Sequence, residues 1–395
     1  MILEFKVLVK MKEESFVIQF KKRLLNTICK SWNESSIQLI RKHDKNLEKG
    51  DFSFPNLSNE KVWGKLEVQT FDLVEISKSS PKIEKIETVG ACSVVFLKRE
   101  SVFTEFFLRN PIHSSNVETK PSIVNFDTGK PNSSKMTSAR ADSFHLALSN
   151  LNLSQSALYG ISSTDVKSQI DNFPSDLVKV GVRVGAVLGK NEKKDEELDL
   201  SSYQTKVYEA VKQLDEERCD ENEDIKDKEK RLATLTTAII QFSFLGSNIS
   251  NPVKIMTSNQ NSNFVLYNSA RIKKLLSTFD QHVKNKGYPP LPSSDKIVFG
   301  SLTEIEEWEL LFNFLLPYCD ILEECARTLS FHKLVNFLLS LATTYSRYYN
   351  RVKTLKDPLP HLVPIVHARV FLIKEVNNVF DDGLRILNLE PLLKM

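Results

Sequence analysis

The pattern of apolar and polar positions is most regular near the end of the chain. Apolar residues recur every three or four positions there, the spacing that places side chains on one face of a helix. One such face runs from Leu334 to Val352 and another from Val366 to Leu387, with Pro358 and Pro360 between them. Two long amphipathic helices joined by a short rigid loop pack antiparallel, so the pattern predicts the end of a helical bundle.

Similar patterns precede these two helices. Helices are predicted from Leu232 to Phe242 and from Val265 to Val283. Thr303 with Glu306 predicts a capping box at the start of another helix, which Pro317 interrupts. With one more short helix after this proline, the predicted bundle has about six elements.

The first 110 residues mix helical and strand periods. The spacing from Phe16 to Leu39 is helical, whereas Lys82 to Leu97 is typical of two strands turned at Gly90. This combination predicts a small α+β domain. Three basic residues interleave with the helical pattern and form either a solvated face or a binding face: Lys21, Lys22 and Arg23.

The middle of the chain predicts a shrunken α/β core. A strand at Ile123 to Phe126, followed by a Gly/Pro/Ser turn, and a helix at Ala139 to Asn150 precede a valine-rich strand within Phe173 to Gly189. Only about 50 residues separate Lys135 from Gly185, and each strand–helix–strand unit of a parallel sheet needs about 30. Most of a nucleotide-binding fold is therefore not expected here.

Composition indicates a soluble globular protein of two or three domains, since 41% of the 395 residues are hydrophobic and 26% are charged. No apolar run is long enough to span a membrane. The five cysteines include no C-x-x-C pair, which argues against disulfides or structural zinc, and neither a cofactor nor a metal is predicted. The first residues lack the apolar core of a secretory signal, so cytoplasmic residence is expected.

The net charge of +3 is unevenly distributed. Lys and Arg outnumber Asp and Glu by eleven to six in residues 1–50, whereas residues 190–231 hold ten against fifteen. The dense charges from Glu209 to Lys230 predict either a helix or a flexible tether. Just before them, a solvated loop or an RNA contact is predicted for Lys190, Lys193 and Lys194.

Tyrosines and arginines alternate near the end of the second-last predicted helix, at Tyr345, Arg347, Tyr348, Tyr349 and Arg351. Tyrosines with this spacing can pack in the core on one side of the helix, while the other side of the helix faces solvent. They also suit unpaired RNA bases, which stack on aromatic rings while arginines pair with phosphates. The residues alone leave both interpretations open.

Segments of the last 130 residues resemble arginyl-tRNA synthetases. F-V-L-Y-N-S-A-R (264–271) is similar to the Y-L-Q-Y-A-x-x-R helix of that family, and S-R-Y-Y-N-R-V (346–352) resembles its F-N-x-F-Y-H segment. The final segment matches the family's terminal pattern at Arg369, Leu372, Val379, Gly383, Leu384, Leu387, Pro391 and Met395. The resemblance implies that residues 231–395 are an all-α DALR anticodon-binding bundle.

Two earlier segments, G-D-F-S-F (50–54) and I-E-K-I-E-T-V-G-A-C-S-V-V-F-L (83–97), resemble the N-terminal additional domain of the same synthetases, which touches the outer corner of the tRNA. The resemblance implies that residues 1–110 are this domain and residues 111–230 a degenerate class I catalytic core with a charged linker. M-T-S-A-R-A-D (136–142) stands where the H-I-G-H signature is expected, and His145 is single. No enzymatic activity and no catalytic residue are therefore expected.

Within these relatives, F-V-L-Y-N-S-A-R, G-Y-P-P-L-P, E-E-W-E-L-L-F-N, Y-Y-N-R-V and P-L-P-H-L, in this order, resemble the non-catalytic family of DALR anticodon-binding domain-containing protein three. That family is known as the tRNA-binding partner of a cytosolic methyltransferase that forms 3-methylcytidine in the anticodon loop of certain arginine tRNAs. The resemblance implies an adaptor whose partners are arginine tRNA and this methyltransferase, with no membrane involved. The candidate tRNA contacts are Arg271, Lys274, Arg347, Tyr348, Tyr349, Arg351, Lys353, Arg369, Lys21, Lys22 and Arg23.

Two other functions remain as alternatives at this point. One is a synthetase-like protein with arginine–tRNA ligase activity, which needs pockets for ATP and arginine. The other is a helical scaffold that binds only protein, in which the tyrosines are simply core residues.

Overall fold

The computed structural model describes residues 15–64, 66, 68, 73, 74, 76, 82–109, 122–126, 134–151, 157–164, 166–172, 178–189, 199–216 and 224–392. Within them, an α+β region, a small parallel sheet and a helical bundle follow one another, which confirms the predicted fold class. One main hydrophobic cluster holds side chains from all three regions, and the domain boundaries at 110 and 230 stay a prediction. Four sequence predictions lie outside the described residues: the turn at 127–133, the lysines at 190, 193 and 194, part of the charged stretch, and Met395.

The first helix, α1, spans Phe16–Ile28 and buries one apolar face against the N-terminal sheet. The Ser15 side chain caps it by accepting from the Ile18 amide at 3.3 Å. The predicted helical spacing continues to Leu39, but the helix ends at Ile28 and a separate 3-10 turn follows at Glu34–Leu39. A separate 3-10 turn begins there because Asn33 and Ser36 form a capping box, which starts new helical hydrogen bonding after Asn33.

The N-terminal sheet has four antiparallel strands in the order β1-β2-β4-β3. Gly90 turns the β3–β4 hairpin with a φ of +60°, as the sequence predicts. A short helix, α2, and a longer one, α3, complete the region. The elements are β1 (Arg41–Lys42), β2 (Phe52–Pro55), α2 (Glu60–Trp63), β3 (Ile83–Val89), β4 (Cys92–Leu97) and α3 (Arg99–Arg109).

The middle region is a three-stranded parallel sheet in the order β5-β6-β7, so the predicted small α/β core is confirmed in the part of the chain that the structure describes. The second strand, β6, was absent from the sequence prediction. The elements are β5 (Ser122–Asn125), α4 (Lys135–Asn150), β6 (Ala157–Ser162), α5 (Val166–Asp171) and β7 (Val178–Arg183).

The valine-rich segment does not continue as one strand. It breaks after β7 and resumes as β8 (Val187–Leu188), which pairs with β9 (Val253–Lys254) near the start of the bundle. Gly185 lies at the break, where a Cβ atom would approach the Asn251 carbonyl oxygen to 2.2 Å. Only glycine allows the two backbones to come this close.

Arg140 of α4 joins the middle region to the bundle. Its buried guanidinium donates to the carbonyl oxygens of Gly185 (2.9 Å) and Asn251 (2.6 Å), to those of Phe244 (3.0 Å) and Asn248 (3.2 Å), and to the Ser247 hydroxyl at 3.3 Å. This arginine lies within M-T-S-A-R-A-D (136–142), the segment that the resemblance compares with the H-I-G-H signature. Burial lowers the pKa of Arg140 to about 10.

The described part of the charged stretch is helical. Two helices, α6 (Leu200–Glu216) and α7 (Ile225–Leu245), flank residues 217–223. Arg231 of α7 pairs with Asp215 of α6 through two hydrogen bonds, at 2.6 and 3.1 Å. Each helix therefore carries one partner of a charged pair that holds them side by side.

The bundle contains the helices that the apolar spacing predicts. Its capping box is shifted by one residue from the predicted Thr303 and Glu306. Glu304 and Glu307 form it, because Glu307 accepts from the Glu304 amide at 3.0 Å while Glu306 turns to Arg351. The elements are α8 (Gln260–Lys284), α9 (Ile305–Glu309) with a π-helical continuation (Leu310–Leu315), α10 (Tyr318–Thr328), α11 (His332–Arg351) and α12 (Val363–Ile386).

The last two helices, α11 and α12, run antiparallel as predicted. Gly383 of α12 lies against Leu338 of α11, and a Cβ atom at Gly383 would come within 2.8 Å of that side chain. Toward the other end, Tyr348 of α11 and Arg369 of α12 share the carboxylate of Glu307. No helix within the described ranges is long and apolar enough to cross a membrane.

Candidate nucleic-acid interface

The outer face of α8 carries aromatic and basic side chains in one line. Asn259 caps the helix by accepting from the amides of Asn261 (3.0 Å) and Ser262 (3.3 Å). Val265, Ile272 and other residues are buried on the inner face. The opposite face presents residues at intervals of three and four, which share one side of a helix: Phe264, Tyr267, Arg271 and Lys274.

Arg271 and Tyr349 bring α8 and α11 together at the surface. The Arg271 guanidinium lies 4.8 Å from the centre of the Tyr349 ring. Tyr349 is 41% exposed, and beneath it the ring of Tyr345 is buried with a centroid distance of 6.1 Å. A planar cation stacked on a solvent-facing ring is the kind of platform on which an unpaired base can stack.

The two arginines on either side of this ring already have acidic partners. Arg347 pairs with Glu309. Arg351 donates from Nε to Glu306 at 2.7 Å and from Nη2 to Glu304 at 2.5 Å. Burial favours a raised pKa for Glu306, but the Arg351 guanidinium outweighs it and holds that pKa below its usual value. Both arginine side chains are about half exposed, although part of their charge is neutralised within the protein.

Tyr348 and Arg369 are corrected from surface contacts to interior residues, since their side chains are 0% and 2% exposed. Arg369 donates from Nε to Glu307 at 2.7 Å and from Nη1 to the Lys353 carbonyl at 3.2 Å. The Tyr348 hydroxyl donates to the same Glu307 carboxylate at 3.1 Å. An RNA cannot reach either side chain while this network is intact, so both leave the candidate set.

The remaining candidates fall into two groups. Lys274 and Lys353 are exposed on the bundle near the Arg271–Tyr349 pair, whereas the basic triplet lies on α1 in the N-terminal region. Within that triplet, Arg23 is exposed, and Lys21 and Lys22 are half-buried. Burial lowers the pKa of Lys21, which also lies near Lys42 and Asp44.

Phe264 and Tyr267 are members of the aromatic and basic line that the sequence analysis missed. Their spacing from Arg271 was visible in the sequence, but helical spacing alone does not tell which face of α8 meets solvent. Two exposed lysines near the end of α8, Lys284 and Lys286, were also missed. Within the residues described, no three His, Cys, Asp or Glu side chains are grouped as they would be around a metal ion.

Comparison with protein families matches the DALR anticodon binding domain to residues 265–395. DALR anticodon-binding domain-containing protein 3 of Danio rerio is 32% identical over 181 residues, which cover 41% of this chain and 32% of that protein. The protein of the same name from Rattus norvegicus is 37% identical over 138 residues, 33% of this chain and 26% of that one. The matched stretches therefore span a third or less of these relatives.

Arginine–tRNA ligases are also similar to this chain. The ligase of Chlorobium phaeobacteroides is 38% identical over 98 residues, or 25% of this chain and 17% of the ligase. Among solved structures, arginyl-tRNA synthetase from Plasmodium falciparum superimposes with a TM-score of 0.61 at 12% identity, covering 96% of this chain and 98% of that one. The Thermus thermophilus synthetase gives a TM-score of 0.56 at 11% identity, with 96% and 99% covered.

Identity this low between structures shows a common fold and nothing about activity. The family match is more specific, because residues 265–395 include the helices that carry Arg271, Tyr349 and Arg369. Residues 265–395 are thus a DALR anticodon binding domain on a synthetase-like fold, and the chain that carries them resembles DALR anticodon-binding domain-containing protein 3.

Proposed function

We propose that this chain is a non-catalytic adaptor that binds arginine tRNA through the anticodon arm. In this proposal it presents the tRNA to a methyltransferase for 3-methylcytidine formation in the anticodon loop. The observation that carries the RNA-binding part is the exposed stack of Arg271 on Tyr349 within the DALR domain. The methyltransferase part rests on the resemblance to DALR anticodon-binding domain-containing protein 3.

Recognition at this surface would combine base stacking on flat side chains with phosphate contacts from lysines. The Arg271–Tyr349 pair and Phe264 offer flat faces to unstacked loop bases. Four lysines with exposed side chains can pair with the phosphates on either side: Lys274, Lys284, Lys286 and Lys353. Phosphate contacts position the RNA and base contacts specify it, so the stacked pair is the expected source of preference among tRNAs.

The start of α4 supports a non-catalytic role. Met136 is buried, Thr137 accepts from the Val187 amide at 3.1 Å, and Arg140 binds backbone carbonyls. By the resemblance, these side chains stand where a ligase has the H-I-G-H signature, and in this structure they face protein. A ligase needs groups there that reach the ATP phosphates.

Binding of purified protein to an arginine tRNA transcript and to other tRNAs at matched salt tests the proposal. Tyr349→Ala should weaken arginine tRNA binding by roughly 5- to 30-fold, because it removes a stacking platform worth about 1–2 kcal/mol. Arg271→Gln should act in the same direction. Tyr345→Phe is the matched control, because it alters a buried tyrosine beside the stack and should leave binding unchanged. Equal affinity for all tRNAs would rule the proposal out.

The alternatives give different results in two further assays. Robust charging of arginine tRNA by the purified chain would make it a ligase. A protein-only scaffold would retain no RNA in any variant. Co-purification from cells, scored for tRNA species and for a methyltransferase, tests the partner, and reconstitution with S-adenosylmethionine tests the modification.

A further inference from the structure

A buried polar contact joins the N-terminal region to the bundle. Asp51 stands between the turn at Leu47–Lys49 and β2, and it is 2% exposed. One carboxylate oxygen accepts from the Leu97 amide at 2.7 Å within the same region. The other accepts from the indole nitrogen of Trp308, in α9 of the bundle, at 2.8 Å. One carboxylate therefore bonds to both regions. A second polar contact lies beside it, in which Lys42 donates to the Asn313 side chain at 2.9 Å and Asn313 donates to the Asp44 carbonyl at 3.0 Å.

The backbone before Asp51 is shaped for this contact. Gly50 has a φ of +124°, and a Cβ atom there would lie 2.1 Å from a methyl group of Val94. Asn46, at the start of the turn, also has a positive φ, of +54°. Only glycine fits at position 50, so the Gly50–Asp51 pair directs the carboxylate toward the bundle.

Aromatic rings surround this contact on both sides. The Trp308 ring stacks on Phe312 at 5.0 Å and meets Phe103 of α3 at 5.9 Å. Phe52, the neighbour of Asp51, meets Phe312 edge-on at 5.5 Å. The Arg99 guanidinium lies 5.5 Å from the Trp308 ring centre.

A buried carboxylate is a costly way to stabilise such an apolar joint. Burial raises the pKa of Asp51, while the hydrogen bonds from Leu97 and Trp308 oppose the rise. A well-packed apolar residue would stabilise the joint at least as well. The bond from the Leu97 amide holds the Asp51 side chain in place, and the directed bond from Trp308 then favours one orientation of the bundle relative to the N-terminal region.

We propose that Asp51 is a positioning residue for RNA binding, whose contact with Trp308 fixes the N-terminal region on the bundle so that both contribute to binding one tRNA. This inference rests on the proposed function. The N-terminal region offers exposed basic side chains to the RNA backbone: Arg23, Lys30, Arg41, Lys45 and Lys49. Fixing them relative to the bundle raises their effective concentration at a tRNA that the bundle already holds.

Two substitutions each remove one of the polar groups that make the contact. Trp308→Phe removes the indole donor but keeps an aromatic ring. Asp51→Asn replaces one acceptor oxygen by a donor, so only one of the two hydrogen bonds can form. Trp63→Phe is the matched control, because the buried Trp63 indole donates at 3.0 Å to Pro55, entirely within the N-terminal region.

Each variant is tested against two RNA probes, the full-length arginine tRNA transcript and its isolated anticodon stem-loop. Both contact variants should weaken full-length tRNA binding by roughly 5- to 20-fold and change stem-loop binding by less than about twofold. Combining them should weaken binding no further than the stronger single change. Exchange of the Trp308 indole hydrogen should quicken in Asp51→Asn, which shows the loss of the contact without RNA. Faster exchange at the Leu97 amide instead would show loss of the bond within the N-terminal region.

The inference is wrong if the contact variants weaken binding of both RNAs equally, or weaken binding of neither. It is also wrong if Trp63→Phe changes the ratio of the two affinities as much as the contact variants do. Replacing Lys45 and Lys49 by Gln gives a second test that does not disturb the core. It should lower full-length tRNA affinity and its salt dependence, and no change would count against the proposal. A wild-type chain that bound neither RNA would overturn the proposed function itself.

Discussion

At the scale of single residues, Arg140 is a buried guanidinium whose described partners are all neutral oxygens. It satisfies four backbone carbonyls and one hydroxyl around the break between β7 and β8. A lysine keeps the charge but offers one compact donor group in place of the planar fork. Several of these buried carbonyls would then lose their partner, and each unsatisfied group costs about 1–3 kcal/mol.

Arg140→Lys should therefore destabilise the protein by roughly 2–4 kcal/mol. Urea unfolding followed by circular dichroism measures the shift. Arg183→Lys, at an exposed arginine on β7, is the control and should change stability by no more than about 0.5 kcal/mol. A similar shift in both variants would show that the carbonyl contacts of Arg140 do not stabilise the fold.

Tyr348 and Tyr349 show where sequence reasoning stops. The periodicity of α11 places Tyr345 and Tyr348 on its apolar face, and both are buried. Tyr349 falls one position beyond that face and is exposed. The resemblance to the synthetase segment covered both neighbours, so it nominated a buried tyrosine together with the exposed one. Exposure depends on what α8 and α12 cover, and no local pattern in α11 contains that information.

At the scale of elements, the long helices of the bundle were predictable and the joints between regions were not. Helices such as α8 and α12 carry a full apolar face, which local spacing reveals. The Asp51–Trp308 contact links residues 257 positions apart, and the Arg140 contacts span 45 to 111 positions. The Gly50–Asp51 pair is visible in the sequence as part of a motif. Its contact with Trp308 cannot be predicted there, because no local pattern shows that α9 packs against this turn.

The pair between Asp215 and Arg231 makes the packing of α6 on α7 dependent on pH. Hydrogen bonds from Arg231 hold the pKa of Asp215 below its usual value. A carboxyl whose pKa is lowered by folding stabilises the folded state above its unfolded pKa, which is about 3.9. That contribution is lost as the pH falls through the lower, folded pKa.

Asp215→Asn should thus cost roughly 1 kcal/mol near pH 7, the upper end for surface pairs, because both side chains are 13% exposed. The difference from wild type should shrink as the pH falls below about 4. Thermal unfolding from pH 7 to pH 3 measures it. Glu209→Gln, at an exposed position on α6, serves as the control, and a difference that stayed constant with pH would contradict the assignment.

At the scale of the whole molecule, several polar contacts connect the regions. Asp51 holds the N-terminal region to α9, Arg140 holds α4 to the end of α7, and Asn150 of α4 exchanges hydrogen bonds with Arg385 of α12 at 2.9 and 3.2 Å. The N-terminal region therefore contacts the bundle directly, and the middle region is attached to the bundle through α4.

The N-terminal region also covers part of the bundle with aromatic side chains. Phe107 of α3 stacks on Phe299 at 4.6 Å and meets Phe371 of α12 at 5.8 Å. Phe103 and Phe52 cover Trp308 and Phe312 in the same way. A bundle produced alone, as residues 224–395, would expose these rings to water, and each buried aromatic ring is worth about 1.5–3 kcal/mol.

The isolated bundle should therefore unfold at a temperature lower by roughly 10 °C or more than the full chain. It should also bind a hydrophobic dye that the full chain excludes. Replacing Phe299 and Phe371 by Gln in the isolated bundle should reduce dye binding, because these two rings supply much of the uncovered surface. If the isolated bundle unfolded at the same temperature and bound no dye, the N-terminal region would not stabilise the bundle. Its contribution to the protein would then lie in RNA binding alone.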